Sequence, residues 1–272
     1  MELLREMLSY PFIVRALIGG LFISLCASLL GVSLVLKRYS MIGDGLSHVS
    51  FGALSVAIAF GWTPLLVSIP VVVLAAVLLL RMTENGKIKS DAAIAMISAG
   101  SLAVGIIVTS LTTGMTTDVS SYMFGSILAM SKGDVALSAA LSVVVLGMFV
   151  LCYNKVFAVT FDESFARATG VNVSAYNMMI AVLTAVTIVL GMRMMGAMLI
   201  SSLVIFPSLT SMRVFKSFSG VVISSGCVSV VCFFAGLVLS YVYSIPAGAS
   251  VVVVNMAAFL LFTGLIKFLD GG

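Results

Sequence analysis

Long apolar stretches, separated by short polar ones, run through almost the whole chain of 272 residues. Most of them have the ~20 residues that an α-helix needs to cross the hydrocarbon core of a bilayer. The strands of a membrane barrel would instead alternate between apolar and polar residues over ~10 positions. The pattern predicts an all-α polytopic bundle of about nine spans, at 12–36, 39–60, 63–82, 91–113, 134–153, 177–192, 194–215, 219–243 and 247–268.

The sixth and seventh of these spans are the least regular. Arg193 divides them and Pro207 interrupts the second of the two, so a bundle of eight spans is the alternative. An odd number of spans places the two ends of the chain on opposite sides of the membrane, and an even number would place them on the same side.

Composition supports a membrane protein with a single transmembrane domain over residues 1–272. The chain is 61% hydrophobic and 9% charged, whereas soluble domains carry about 25% charged residues. Residues 1–8 are too charged for the core of a signal peptide and predict a short amphipathic helix at the membrane interface. The four cysteines form no CxxC pair and indicate packing residues, not a disulfide framework.

The basic residues are distributed unevenly between the two sides of the nine-span arrangement. Positive charge marks the cytoplasmic side of membrane proteins, so the C-terminus is predicted in the cytoplasm and the N-terminus outside. One side carries Lys37, Arg38, Arg81, Lys87, Lys89, Lys155, Arg167, Arg213, Lys216 and Lys267, and the other carries Arg5, Arg15, Lys132 and Arg193.

Two polar connections between spans are long enough to hold structure of their own. The outer one, 114–133, is too short and too polar to span. It predicts either a re-entrant helix or an ordinary amphipathic surface helix. The inner one, 154–176, predicts a short cytoplasmic helix that Thr160 caps.

Three further features define that inner helix. Asp162 and Glu163 would lie in its first turn, where the helix dipole favours anions, and Gly170 suits a left-handed stop. Phe161 and Phe165 are four residues apart and would share one face. This aromatic pair would either pack back on the bundle or fill a groove on a partner protein.

The methionines and the short sequence motifs give weaker evidence about function. Five methionines lie between residues 191 and 213, and thioethers bind soft ions such as Cu(I). Their spacing is not a repeated ligand motif, so core packing is the preferred interpretation. The sequence contains no G-x-x-x-x-G-K-[ST], H-E-x-x-H or G-x-S-x-G motif, so we expect no enzymatic hydrolysis by this chain alone.

The second span contains an ionisable pair, Asp44 and His48, which includes the only histidine of the chain. Residues four apart share one face of a helix, and ionisable residues inside a membrane span indicate a functional site. Counted from Arg38 at 1.5 Å per residue, His48 would lie ~15 Å into the membrane, near its midplane. That depth is typical of substrate sites in transporters.

The residues alone leave three roles open for this pair: a metal site, a proton relay, or hydrogen-bonded structural contact. Two ligands do not complete a metal site, which usually takes four or more. A two-fold dimer with this helix at its axis would supply two carboxylates and two imidazoles, a set suited to Zn²⁺ or Mn²⁺. Because histidine binds metal in its neutral form, transport would then fade below pH ~6.5.

Six segments in the same order resemble the permease subunit of metal-ion ABC importers, the ABC-3 family that takes up zinc, manganese or iron. Residues 43–48 resemble its G-D-A-L-S-H motif, with Gly45 in place of alanine. The start of the seventh span, with its methionines and Arg193, departs from the family pattern. The other matching segments are 91–95, 121–128, 161–170, 199–207 and 246–250.

The resemblance implies an ABC-permease fold and a homodimer in a bacterial inner membrane. It also implies two cytoplasmic ABC ATPase subunits, which alone use ATP, and an external metal-binding protein. Asp44 and His48 match the family's metal ligands, and the transported divalent ion is the only implied cofactor; no nucleic acid is implied. Contact with the ATPase would involve Phe161, Asp162, Glu163, Phe165, Ala166 and Gly170.

Two other functions remain open. One is an ABC permease for a metal chelate, which would need a wide cavity. The other is a proton-coupled secondary transporter or channel, in which Asp44 and His48 would relay protons without any ATPase. The motifs do not distinguish Zn²⁺ from Mn²⁺ or Fe²⁺, because nitrogen-containing sites favour Zn²⁺ over these ions whatever the physiological substrate.

Overall fold

The computed structural model describes residues 2–84, 89–112 and 131–270. Within these ranges the chain forms eleven helices and no strand. They are α1 (Glu2–Ser9), α2 (Pro11–Leu36), α3 (Ile42–Ala59), α4 (Pro64–Glu84), α5 (Ser90–Leu111), α6 (Lys132–Phe161), α7 (Glu163–Ala168), α8 (Val173–Met195), α9 (Ala197–Val214), α10 (Phe218–Tyr243) and α11 (Ala247–Asp270).

The number of predicted spans is confirmed for the described part of the chain. Nine of its helices, α2 to α6 and α8 to α11, are long and apolar enough to cross a membrane. The ends differ from the prediction most at α6, which continues to Phe161, past the expected end at residue 153. The amphipathic segment at the N-terminus forms α1, which contacts α2; its position at a membrane interface stays a prediction.

The sixth and seventh spans are divided by Gly196, and the prediction that Arg193 divides them is wrong. Gly196 has φ +88° and joins α8 directly to α9. A residue with a Cβ rarely adopts this backbone conformation, so glycine is required for so short a connection. Arg193 lies in the last turn of α8, and Pro207 lies inside α9 without ending it.

Helix α2 lies at the centre of the bundle, packed against α6, α8, α9 and α10. Serine hydroxyls reach its backbone across these interfaces. Ser229 donates a hydrogen bond to the Ser24 carbonyl at 2.9 Å. Ser208 and Ser225 each donate to the Ser28 carbonyl at 3.3 Å. Interhelical hydrogen bonds and close packing hold helices together in lipid, so α2 provides the frame around which the other spans are arranged.

Helix α3, which carries the ionisable pair, packs most extensively against α5. The two backbones approach closely at Gly52, where an added Cβ would lie 2.5 Å from the Ser101 carbonyl oxygen. At Gly105 an added Cβ would lie 2.6 Å from the Phe51 ring. Small residues allow this kind of helix contact in membranes, and here they fix the position of α3.

We expect Gly52→Ala to destabilise the bundle, because the new methyl group would push against the backbone of α5. Overpacking of this kind costs about 1–3 kcal/mol. The measurement is the thermal unfolding midpoint of the detergent-purified protein. Gly100→Ala, on the facing helix, is the control, because an added Cβ there has nothing within 4 Å. Equal midpoints for the two variants would contradict the assigned contact.

Candidate functional site

Asp44 and His48 lie on one face of α3, as their spacing predicts. His48 Nε2 is 3.6 Å from Asp44 Oδ2. Two ligands of one tetrahedral ion, each ~2.1 Å from it, would be about 3.4 Å apart. The separation is therefore long for a hydrogen bond and close to that of two atoms that share a metal ion.

The pair is only partly enclosed by its own chain. The side chain of Asp44 is 44% exposed and that of His48 is 20% exposed. The other ring nitrogen, His48 Nδ1, is buried without a hydrogen-bond partner in the described structure. Asp44 lies in the first turn of α3, where the helix dipole favours a negative charge.

Small neighbours allow other helices to approach this end of α3. Gly43 packs against Ser201 of α9, whose Cα would be 3.6 Å from an added Cβ. At Gly45, an added Cβ would be 2.5 Å from Ile94 Cγ2 of α5. The predicted depth of His48 assumed a continuous helix from Arg38, and this is wrong because α3 begins at Ile42. His48 lies ~9 Å along the helix from its start.

A single copy of the chain does not assemble a complete metal site from its described residues. No group of three or more histidine, cysteine, aspartate or glutamate side chains comes together there. The methionines near the end of α8 do not supply the missing ligands as an open cluster, because Met192, Met194 and Met195 are buried in the hydrophobic core. The described residues bring together two candidate ligands, Asp44 and His48, and leave Asp44 partly exposed.

The predicted cytoplasmic helix exists as α7, but it begins differently from the prediction. Thr160 does not cap it, because α6 continues through Phe161 and Thr160 is buried without a hydrogen-bond partner for its hydroxyl in the described structure. The cap is Asp162, whose Oδ1 accepts a hydrogen bond from the Phe165 amide at 2.9 Å. Gly170 has φ +83° and ends the segment as predicted.

Phe161 and Phe165 belong to different helices, so the prediction that they share a face of one helix is wrong. Both are nonetheless exposed, at 58% and 61%. The ring of Phe161 lies 4.9 Å from that of Phe157 and 6.0 Å from that of Phe218, while Phe165 projects from α7. Ala166 is fully buried and serves to seat α7 on the bundle.

Glu163 faces the bundle and takes part in a network that the sequence did not suggest. Its Oε1 accepts hydrogen bonds from Lys37 Nζ at 2.8 Å and from Asn177 Nδ2 at 3.1 Å. Lys37 also donates to the side-chain oxygen of Asn177. Burial alone would raise the pKa of Glu163, but the hydrogen bonds from Lys37 and Asn177 hold that pKa below its ordinary value. The carboxylate therefore stays ionised at neutral pH.

The unusual Arg193 also has a partner. Its Nη1 lies 3.5 Å from Oδ1 of Asp134 at the start of α6. Asp134 forms a capping box with Ser131 there, and its side chain is 13% exposed. Arg193 thus joins the ends of α6 and α8.

The outer connection 114–133 lies largely outside the described residues, and so does the matching segment 121–128. The re-entrant helix or amphipathic surface helix predicted there stays a prediction.

Comparison with known proteins agrees with this architecture. The family model described as the ABC 3 transport family matches residues 9–265. The chain is 27% identical to the high-affinity zinc uptake system membrane protein ZnuB of Haemophilus influenzae, over 95% of this chain and 98% of that protein. It is also 27% identical to the manganese import system permease protein ScaB of Streptococcus gordonii, over 96% and 93% of the two chains.

A solved structure has the same fold. A chain of PsaBC from Streptococcus pneumoniae, determined in complex with a Fab, superposes with a TM-score of 0.85 at 26% identity. The match covers 96% of this chain and 94% of that one. On the evidence of the family model, the relatives and the shared helical architecture, this multi-pass membrane protein belongs to the ABC 3 transport family of metal transport permeases.

Proposed function

We propose that this chain is the membrane-spanning permease subunit of an ATP-driven importer for a divalent transition metal: zinc, manganese or iron. The observation that carries the proposal is the Asp44–His48 pair, 3.6 Å apart on an apolar helix and open on one side. A divalent cation can enter the hydrocarbon core of the membrane only if protein groups replace the water molecules that it loses. A carboxylate and an imidazole supply that replacement, and both are ligands of borderline divalent ions.

Two copies of the chain complete the site in this proposal. One copy brings two ligands together, and the exposed side of Asp44 would be costly if it faced lipid. A homodimer with α3 near its two-fold axis would bury that side and supply four ligands. This arrangement would explain why the Asp44 carboxylate is partly exposed in a single copy of the chain.

Energy would come from two cytoplasmic ABC ATPase subunits, since the sequence contains no nucleotide-binding motif of its own. The segment 161–170 offers them two exposed aromatic rings, Phe161 and Phe165. An external metal-binding protein would deliver the ion near 114–133. The excess of basic residues on one side supports a cytoplasmic C-terminus in a bacterial inner membrane.

The relatives support metal import without choosing the metal. ZnuB is named for zinc and ScaB for manganese, and both match this chain at 27% identity. A carboxylate–imidazole site binds either ion, with zinc favoured by intrinsic affinity.

Removing either ligand should abolish most transport. We expect Asp44→Ala and His48→Ala to lower metal uptake by at least about tenfold, since even outer-shell changes at metal sites cost 10–100-fold. The measurement is ATP-dependent uptake of Mn²⁺ and Zn²⁺ by proteoliposomes that contain the complex. Ser47→Ala is the control, because its buried hydroxyl only donates to the Asp44 carbonyl of the same helix. Wild-type uptake by both ligand variants would contradict the site.

The ATPase partner should depend on the exposed ring of α7. We expect Phe165→Ala to lose most of the ATP-binding subunit that co-purifies with the wild-type chain, because a ring that fills a groove is an anchor of such an interface. The control is Phe268→Ala, which removes an 84% exposed ring at the end of α11, on the same predicted side. Movement of ions without ATP, by a chain that purifies alone, would instead indicate a secondary transporter or channel.

A further inference from the structure

A largely buried lysine joins three separate elements at the predicted cytoplasmic end of the bundle. Lys37 follows the last residue of α2, Glu163 is the first residue of α7, and Asn177 lies in the second turn of α8. Lys37 donates to both other side chains, and Asn177 donates to the same Glu163 oxygen that Lys37 contacts. We refer to these three residues as the Lys37 network.

The network holds α7 in one place. The Lys37 side chain is 10% exposed and Asn177 is 5% exposed, so the positive charge is largely withdrawn from water. A charge in this position requires its partners, because an uncompensated buried charge is strongly destabilising. Arg167 also lies near Glu163, at 3.9 Å, but both of those groups are well exposed and such pairs contribute little. A displacement of Glu163 is thus resisted chiefly by Lys37 and Asn177.

From Lys37, a short turn leads directly to the ionisable pair. Arg38 has φ +62°, a left-handed conformation that non-glycine residues rarely adopt. The Ile42 amide then donates to the Tyr39 carbonyl at 3.0 Å, and Asp44 follows in the first turn of α3. Because the turn is short and internally hydrogen-bonded, a movement of Lys37 is carried to the start of α3.

The surroundings of the turn allow such a movement. A cavity of about 30 Å³, lined by Lys37, Tyr39, Ile42 and Asn177, lies beside it. The hydroxyl of Tyr39, which lines this cavity, is hydrogen-bonded to Thr83 of α4 at 2.8 Å. The turn is therefore held by the hydrogen bond between Tyr39 and Thr83, and it borders unfilled space in the cavity.

We propose that the Lys37 network couples the segment that meets the ATPase to the helix that holds the metal. Lys37, Glu163 and Asn177 are positioning residues: they touch neither the ion nor ATP, and they transmit the displacement of α7 through the turn at Arg38 to Asp44. The inference rests on the proposed function, since it requires an ATPase that moves α7 and an ion that Asp44 and His48 release.

The test compares ATP hydrolysis with ion movement in the complete complex. Wild type, Lys37→Met and Glu163→Gln are purified with the ATPase subunits and the metal-binding protein and placed in proteoliposomes that contain ATP and a metal-sensitive dye. We expect Lys37→Met to keep the wild-type basal rate of ATP hydrolysis, and both variants to move about tenfold fewer Mn²⁺ ions for each ATP that they hydrolyse. The double variant should be no worse than either single one, because both break the same network.

The test includes a matched control and a second variant of the network. Lys155→Met is the matched control: it removes a lysine from the same predicted side, one that lies over the Tyr176 ring and is not in the network. Glu163→Gln keeps the size of a partly exposed side chain, so it is the variant to use if Lys37→Met fails to assemble. Co-purification of the ATPase subunits verifies assembly in each case.

The outcomes separate the two claims. If the wild-type complex moves no Mn²⁺, Zn²⁺ or Fe²⁺ with ATP, the proposed function is wrong and the coupling role falls with it. If the wild type transports, and the network variants move as many ions per ATP as Lys155→Met, only the coupling role is wrong. A loss of ions per ATP that is confined to the network variants supports it.

Discussion

The cost of placing charge in an apolar environment governs this structure. The spans pack mostly through non-directional van der Waals contacts. Each contact between charged or ionisable groups, in contrast, joins specific atoms. Lys37 meets Glu163 across α2 and α7, and Arg193 meets Asp134 across α8 and α6. These pairs fix where the helix ends lie relative to one another, and the serine hydrogen bonds around α2 fix its middle.

The Asp44–His48 pair differs from the Lys37 network in ways that fit the proposed metal site. The Lys37 network is closed by direct hydrogen bonds among its three side chains, and the lysine is largely buried. Asp44 and His48 are further apart than Lys37 and Glu163, and they leave a ring nitrogen without a partner in the described structure. A chain that only needed stability would gain from closing such a pair. Leaving it open is what a site for a transient ion requires, because the ion must be able to leave as well as bind.

Much of this architecture could be predicted from the sequence, because hydropathy and helical spacing are local properties. They gave the number of spans, the shared face of Asp44 and His48, and the stop at Gly170. The predictions were wrong where contacts between residues far apart in the sequence determine the structure. The charge of Arg193 predicts a break between two spans, but Asp134 of another helix pairs with it inside a continuous α8. The sequence predicts Thr160 as a helix cap, but α6 continues to Phe161, whose ring packs on Phe157, and Asp162 is the cap.

The proposed site requires two copies of the chain to hold one ion between them. The most direct measurement is the amount of Mn²⁺ or Zn²⁺ bound at saturation by the purified permease, determined by elemental analysis against protein concentration, together with its mass in detergent. We expect a dimer that holds about one ion per two chains, since four ligands complete one site. One ion for every chain, or a monomer that binds as tightly as the dimer, would contradict it.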